Sequence, residues 1–193
     1  MKRLLQILSF STFIFLLTAA GSFAQESDSE ADIVLTEYSD YQCPACAYYH
    51  PVVEKLKEEF GDKLKVEYRY FPLNSHQFAA LAARAAEAAG NQGQFKAMHD
   101  MLFENQDNWS SSGNPQSIFI GYAKELGLDV QQFQSDLNAA ETQKTVMEQK
   151  QEGVNMGVNS TPTFFINGIK VQQLPRSYDQ FKSLLESQMS EDA

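Results

Sequence analysis

Two cysteines in 193 residues are far too few for a disulfide scaffold, and one C-x-x-C without a second pair cannot complete a four-thiolate zinc site. Positive charge is also scarce. Fifteen Lys and Arg face 25 Asp and Glu, for a net charge of -10, and no basic stripe gathers anywhere to neutralise phosphates, which argues against nucleic-acid binding. No period of fixed length recurs, so a repeat array is set aside. The three histidines, His50, His76 and His99, stand singly in the sequence and read as cap, surface or core residues rather than ligands or bases. Neither a metal nor a cofactor is expected. What is present is an ordinary globular composition, 43% hydrophobic and 21% charged, that suits one domain with room for an insertion.

The first residues carry an export pattern. Met1-Lys2-Arg3 is a short positive start, Leu4 to Ala20 is mostly apolar, and Ser22-Phe23-Ala24 is a small-x-small cleavage pattern before an acidic stretch. Residues 1–24 therefore read as a signal peptide that delivers the chain to the periplasm or another extracytoplasmic space. Left uncleaved, the same stretch has about the 20 residues that a bilayer anchor needs, although Ser9, Ser11, Thr12 and Thr18 weaken it. No cysteine stands at the cleavage position to take a lipid.

After that leader, Asp32 to Tyr38 reads as a buried strand, and Leu64 to Phe71 alternates as a second one. Between them a helix is expected from Cys43, with Pro44 at its first position, Pro51 inside it and Gly61 at its end. Strand, helix, strand implies a parallel βαβ unit. Helical periodicity then dominates: the alanine-rich stretch His76–Gly90, the segment with Phe95, Met98 and Leu102, a helix capped by Asn114-Pro115 and stopped at Gly127, and a further run from about Asp129 to Glu152. Past Gly153 and Gly157, Thr161 to Ile166 returns to strand type, Asn167-Gly168 marks a hairpin, and Ser177 with Gln180 forms a capping box for a last helix.

A cysteine at a helix start meets unpaired backbone N–H groups and the positive end of the helix dipole, both of which favour the thiolate. Cys43 is placed to be that thiolate, and Cys46, one turn on, can reach back to it as the resolving thiol. A pair this close is a poor staple, because so small a loop removes little entropy from the unfolded chain. In an oxidising compartment it is better suited to exchange between disulfide and dithiol through a mixed disulfide.

The strand, the Cys43-Pro44-Ala45-Cys46 turn, Pro51, and Thr161-Pro162 before a strand together resemble the thioredoxin fold. Pro162 follows Cys43 by 119 positions, so a helical insertion must intervene, an arrangement similar to the exported DsbA-like thiol:disulfide oxidoreductases. Phe71-Pro72-Leu73 with His76, Met98 to Phe103, and Gly157 to Phe164 extend the likeness over nearly the whole chain after the leader. The resemblance implies an α/β thioredoxin fold, with a central mixed sheet built from residues 25–75 and 157–193 and an all-helical subdomain inserted over 76–156. It implies an enzyme in which Cys43 exchanges, Cys46 resolves, the Pro44-Ala45 dipeptide tunes the pair, and a cis Thr161-Pro162 presents backbone to an extended substrate. Glu37 takes the place of an acid near the buried cysteine; it is a candidate to move the Cys46 proton, with Arg69 on the neighbouring strand as its expected partner, and a plain structural salt bridge is the alternative.

Direction is the open point. The dipeptide lacks the histidine of the strongest oxidants, so a potential less oxidising than DsbA's, about -120 mV, is expected. Thr161 also occurs in isomerase-type relatives, but residues 25–31 are too short for their dimerisation domain. The expectation is a monomeric oxidase that donates disulfides to reduced or misoxidised exported proteins and is reoxidised by a membrane partner of the DsbB type. A reductase or isomerase fed by a DsbD-type donor is the nearer alternative, and a thiol metallochaperone on the same fold the farther one. Against the latter, no Met or His cluster flanks the cysteines.

Overall fold

Ile33 to Ser39 is β-branched and apolar at alternate positions and forms β1, whose Ile33 and Leu35 are fully buried. The computed structural model describes residues 31–191, so the expected signal peptide, residues 1–24, lies outside the described residues, as do residues 25–30 and 192–193. From β1 the chain enters α1 (Pro44–Phe60) with Cys43 as N-cap and Pro44 at the first position, and leaves it at Gly61, whose φ of 54° few other residues accept. A 3-10 turn (Gly61–Lys63) leads to β2 (Leu64–Tyr70), which pairs parallel to β1 from Ile33↔Leu64 to Ser39↔Tyr70.

Six helices follow: α2 (Ala79–Gly90), α3 (Phe95–Glu104), α4 (Gln106–Trp109), α5 (Pro115–Glu125), α6 (Val130–Leu137) and α7 (Ala140–Asn155). Then β3 (Thr163–Ile166) and β4 (Ile169–Lys170) form a hairpin across Asn167-Gly168, both at positive φ, and α8 (Tyr178–Glu191) closes the order. The sheet runs β2-β1-β3-β4, with β3 antiparallel to β1, so it is mixed. This is the thioredoxin fold with an all-helical insertion.

Three apolar clusters organise the molecule. On one sheet face Ile33, Leu35, Phe164 and Ile166 meet Val53 and Leu56 of α1 and Phe181 and Leu185 of α8. On the other, Tyr38, Phe71, Val158 and Phe165 lie together, and Tyr38 donates to Glu152 of α7 at 2.9 Å. The insertion has its own core, in which the small faces of α2 admit Met98, Leu102, Trp109, Phe119 and Phe133. Cys43 and Cys46 belong to this third cluster, so the cysteine turn lies at the seam between sheet and insertion.

Several local expectations shift. The alanine helix begins at Ala79, because residues 73–76 close a turn, His76 N–H to Leu73 C=O. The run 129–152 is broken at Asn138-Ala139, and α7 continues past Gly153 to Asn155. The first strand residue after Pro162 is Thr163. Half of the capping box forms, Ser177 Oγ accepting from Gln180 N–H at 3.3 Å, while the Gln180 side chain reaches past the N-cap to the Arg176 N–H at 2.8 Å.

Candidate active site

Cys43 sits at the mouth of α1 and is 7% exposed, whereas Cys46 is fully buried. Both are free thiols. The turn before them is tied by hydrogen bonds from every side. Cys43 N–H donates to Asp40 C=O at 3.0 Å, and the Asp40 carboxylate accepts from Gln42 N–H at 2.7 Å and Leu73 N–H at 2.8 Å and contacts His76 Nδ1 at 2.7 Å. Gln42 bridges to the insertion through Phe78 N–H and Ser110 C=O. From α4, Gln106 Nε2 donates to the carbonyls of Tyr41 (2.7 Å) and Cys43 (3.0 Å).

This geometry separates the two sulfurs electrostatically. A hydrogen bond from the Cys46 thiol, supported by Thr161 and by the N–H groups of Cys46 and Ala45, outweighs burial and holds the Cys43 thiol down at about 5. Burial, donation to Cys43 and the Glu37 charge push the Cys46 thiol far above its ordinary range. One sulfur is thus a stable thiolate and good leaving group, and its neighbour a retained thiol.

Thr161 and Pro162, 118 and 119 positions downstream, come to the same place. The Thr161–Pro162 peptide is cis, and Cys43 Sγ lies 3.4 Å from the Thr161 carbonyl oxygen. Pro44 and Ala45, next to Cys43 in the chain, are exposed, as is Tyr48 one turn further along α1, at 57%.

Glu37 is 2% exposed, and its Oε1 has no hydrogen-bond partner. Burial, opposed by the Ser39 hydroxyl and aided by the Glu54 charge, pushes its carboxyl up to about 7. The expected pairing with Arg69 does not form. Register places Glu37 opposite Tyr68 and Tyr38 opposite Arg69, so Arg69 emerges on the other sheet face, where it bonds Glu67 at 2.9 Å and approaches Glu152 at 4.0 Å.

Reading along the chain missed Asp40, Gln42 and Gln106, for which only the polarity of the residues around the cysteines was a signal. It also took the histidines as isolated, whereas His50 and His99 meet with ring centroids 5.2 Å apart, and His50 Nε2 lies 3.3 Å from Asp100 Oδ1. His76 is the histidine held by Asp40.

A parallel βαβ unit with a C-x-x-C at its helix start, a Thr-Pro step beside the first cysteine and an inserted helical block define a thioredoxin-fold protein with the DsbA-like architecture. The comparisons agree. A family model described as thioredoxin matches residues 27–187, and the chain belongs to that family. A thioredoxin-like oxidoreductase from Silicibacter pomeroyi DSS-3 superposes with a TM-score of 0.69 at 27% identity, covering 85% of this chain and 89% of that one. Wolbachia pipientis alpha-DsbA1 superposes at 0.74 with 21% identity, covering 85% and 89%, a likeness of fold. The Na(+)/H(+) antiporter NhaA 1 of Mycobacterium sp. (strain KMS) is 39% identical over 146 residues, 73% of this chain but 23% of that protein. The chain thus spans about a quarter of the length of the curated relatives it matches. Among the described residues no helix is long and apolar enough to cross a membrane.

Proposed function

We propose that this chain is an exported thiol:disulfide oxidoreductase that donates the Cys43–Cys46 disulfide to folding proteins. The observation that carries the reading is the split between the sulfurs: Cys43 is held at about 5, and Cys46 is buried and pushed up. A low-pKa Cys43 stabilises the reduced pair, which makes the disulfide the more oxidising.

In the forward step a substrate thiolate attacks Cys43 Sγ, the Cys43–Cys46 bond breaks, and a mixed disulfide forms. Cys46 leaves as a thiolate and takes up a proton, for which Glu37, ionising near neutrality, is the donor. A second substrate thiolate then attacks the substrate sulfur of the mixed disulfide and expels Cys43 as its stable thiolate. The substrate has lost two electrons, and the pair is left reduced. The Thr161 backbone beside Cys43 offers strand-like hydrogen bonds to an extended substrate segment, with Pro162 shaping that edge and Pro44-Ala45 setting the approach. Residues 25–75 and 157–193 form the catalytic body, and 76–156 its cover. Reoxidation falls to a membrane partner of the DsbB type in the extracytoplasmic space, where the chain acts as a monomer.

The test is the reduction potential, measured by equilibrating the purified protein with glutathione buffers and quantifying both thiol states. A value well above about -180 mV supports the oxidase; one near thioredoxin's, about -270 mV, moves the reading to a reductase fed by a DsbD-type donor.

A further inference from the structure

We propose that His50, His99 and Asp100 form a binding site for a divalent cation of the Zn2+ class, separate from the redox cysteines. One ring nitrogen of each histidine and a carboxylate oxygen of Asp100 lie within 4.8 Å of one another, brought together where α1 packs on α3. His50 Nε2 stands 3.3 Å from Asp100 Oδ1, about the edge of a tetrahedron whose metal–ligand bonds are roughly 2.0–2.1 Å long.

His99 adds an independent observation. Its Nδ1 is bonded to the Tyr41 hydroxyl at 2.9 Å, and its Nε2 is buried with no hydrogen-bond partner. A proton on Nδ1, donated to the Tyr41 oxygen, leaves the Nε2 lone pair for a cation, the outer partnership that ligating histidines usually have. The rings are held before any ion arrives: His50 stacks on Phe103 at 5.1 Å, and His99 lies 4.2 Å from Tyr68.

An approach from solvent exists. His50 opens onto a groove of about 620 Å³ that Glu54, Glu58, Glu104 and Lys55 also line, and three carboxylates against one lysine at its walls concentrate cations. Two imidazoles and one carboxylate suit Zn2+, whereas Ca2+ and Mg2+ call for more oxygens. Three protein ligands leave a fourth position for water or an exogenous ligand. One group competes: Lys96 Nζ lies 2.6 and 2.7 Å from the two Asp100 oxygens and 2.9 Å from Glu54 Oε2. On binding, Lys96 yields Asp100 and keeps Glu54.

The test is calorimetric titration of Zn2+ alone into full chain carrying Cys43→Ser and Cys46→Ala, which removes the thiols and makes the result independent of the redox reading. One saturable site is expected. His50→Ala, at a residue that lines the groove, and Asp100→Asn, at a side chain that is 29% exposed, have their folding checked by circular dichroism and are each expected to weaken it by more than the ~100-fold that losing an outer partner can cost. Lys96→Met is expected to tighten it, a change that general loosening of the fold would not produce. Co2+ bound to the same chain should give the absorption of a tetrahedral site, a readout that needs no ligand variant. Absence of saturable Zn2+ binding, or binding unchanged in both ligand variants, overturns the proposal.

Discussion

Cys43 Sγ lies 3.4 Å from the Thr161 carbonyl oxygen, a contact between the N-cap of α1 and the step before β3. The thiol form donates across that contact; the thiolate gives it up and is held instead by Cys46, the Thr161 side chain and the N–H groups of Cys46 and Ala45. Alkylation of the reduced protein by iodoacetamide, followed by mass spectrometry, is expected to modify Cys43 alone with a pH midpoint near 5. A midpoint near the ordinary value of 9.0 would sink the assignment. Because the folded-state value is lowered, its stabilisation of the reduced form is fully present above pH 9 and is lost as pH falls through 5. The melting temperature of the reduced form relative to the oxidised form should therefore climb between those limits.

Glu37 behaves with the opposite sign. Its carboxyl is raised from 4.5 to about 7, so the folded chain holds a proton there that the unfolded chain has lost, and stability drains as pH rises between the two. Glu37→Gln is expected to flatten that slope and to add up to roughly 3 kcal/mol at pH 8, read by urea unfolding at several pH values. In the same variant, release of Cys46 from the Cys43–Cys46 disulfide as the mixed disulfide forms should slow, since the nearby proton donor is gone. A stabilised variant with unaltered exchange kinetics would restrict Glu37 to a structural cost.

How far these groups were legible follows from what each depends on. Cys43, Pro44 and Gly61 announce α1 because cap chemistry is local, and Asn167-Gly168 announces the hairpin for the same reason. The Glu37–Arg69 pairing failed because the face a residue takes depends on the β1–β2 register, which only the folded sheet supplies. His50 and His99 are 49 positions apart, and nothing in either helix's own period says that their faces meet. Helix α4 spans four residues, too short for a period to register, yet it carries Gln106. Gly153 reads locally as a stop, although a distant contact is what requires it.

That contact makes a sharp case. A Cβ at Gly153 would stand 2.8 Å from Phe71 Cδ2 and 2.9 Å from the Tyr38 ring, in the layer where α7 meets the sheet. Intrinsic propensity alone favours alanine inside a helix by about 1 kcal/mol. Overpacking buried rings costs about 1–3 kcal/mol, and contacts this short belong at the upper end. Gly153→Ala is therefore expected to lower stability by about 1–2 kcal/mol in urea unfolding. A stabilised variant would mean that α7 can lift off the rings at little cost.

Gln106 joins the insertion to the chemistry. Its amide is the donor to the carbonyls of Tyr41 and Cys43, and the Cys43 carbonyl otherwise keeps only the Ala47 N–H at 3.2 Å. Removing the amide with Gln106→Ala strands a buried acceptor and opens space, which is expected to cost about 2–3 kcal/mol. Gln106→Glu asks a different question of the same position. When ionised it cannot donate, and it sets a negative charge beside the turn that holds the Cys43 thiolate, so the alkylation midpoint of Cys43 should move upward. Gln106→Met, similar in size and neutral, should lose stability while moving that midpoint less. If Glu and Met shift the midpoint equally, the effect is loss of positioning rather than charge, and Gln106 acts only by holding the turn in place.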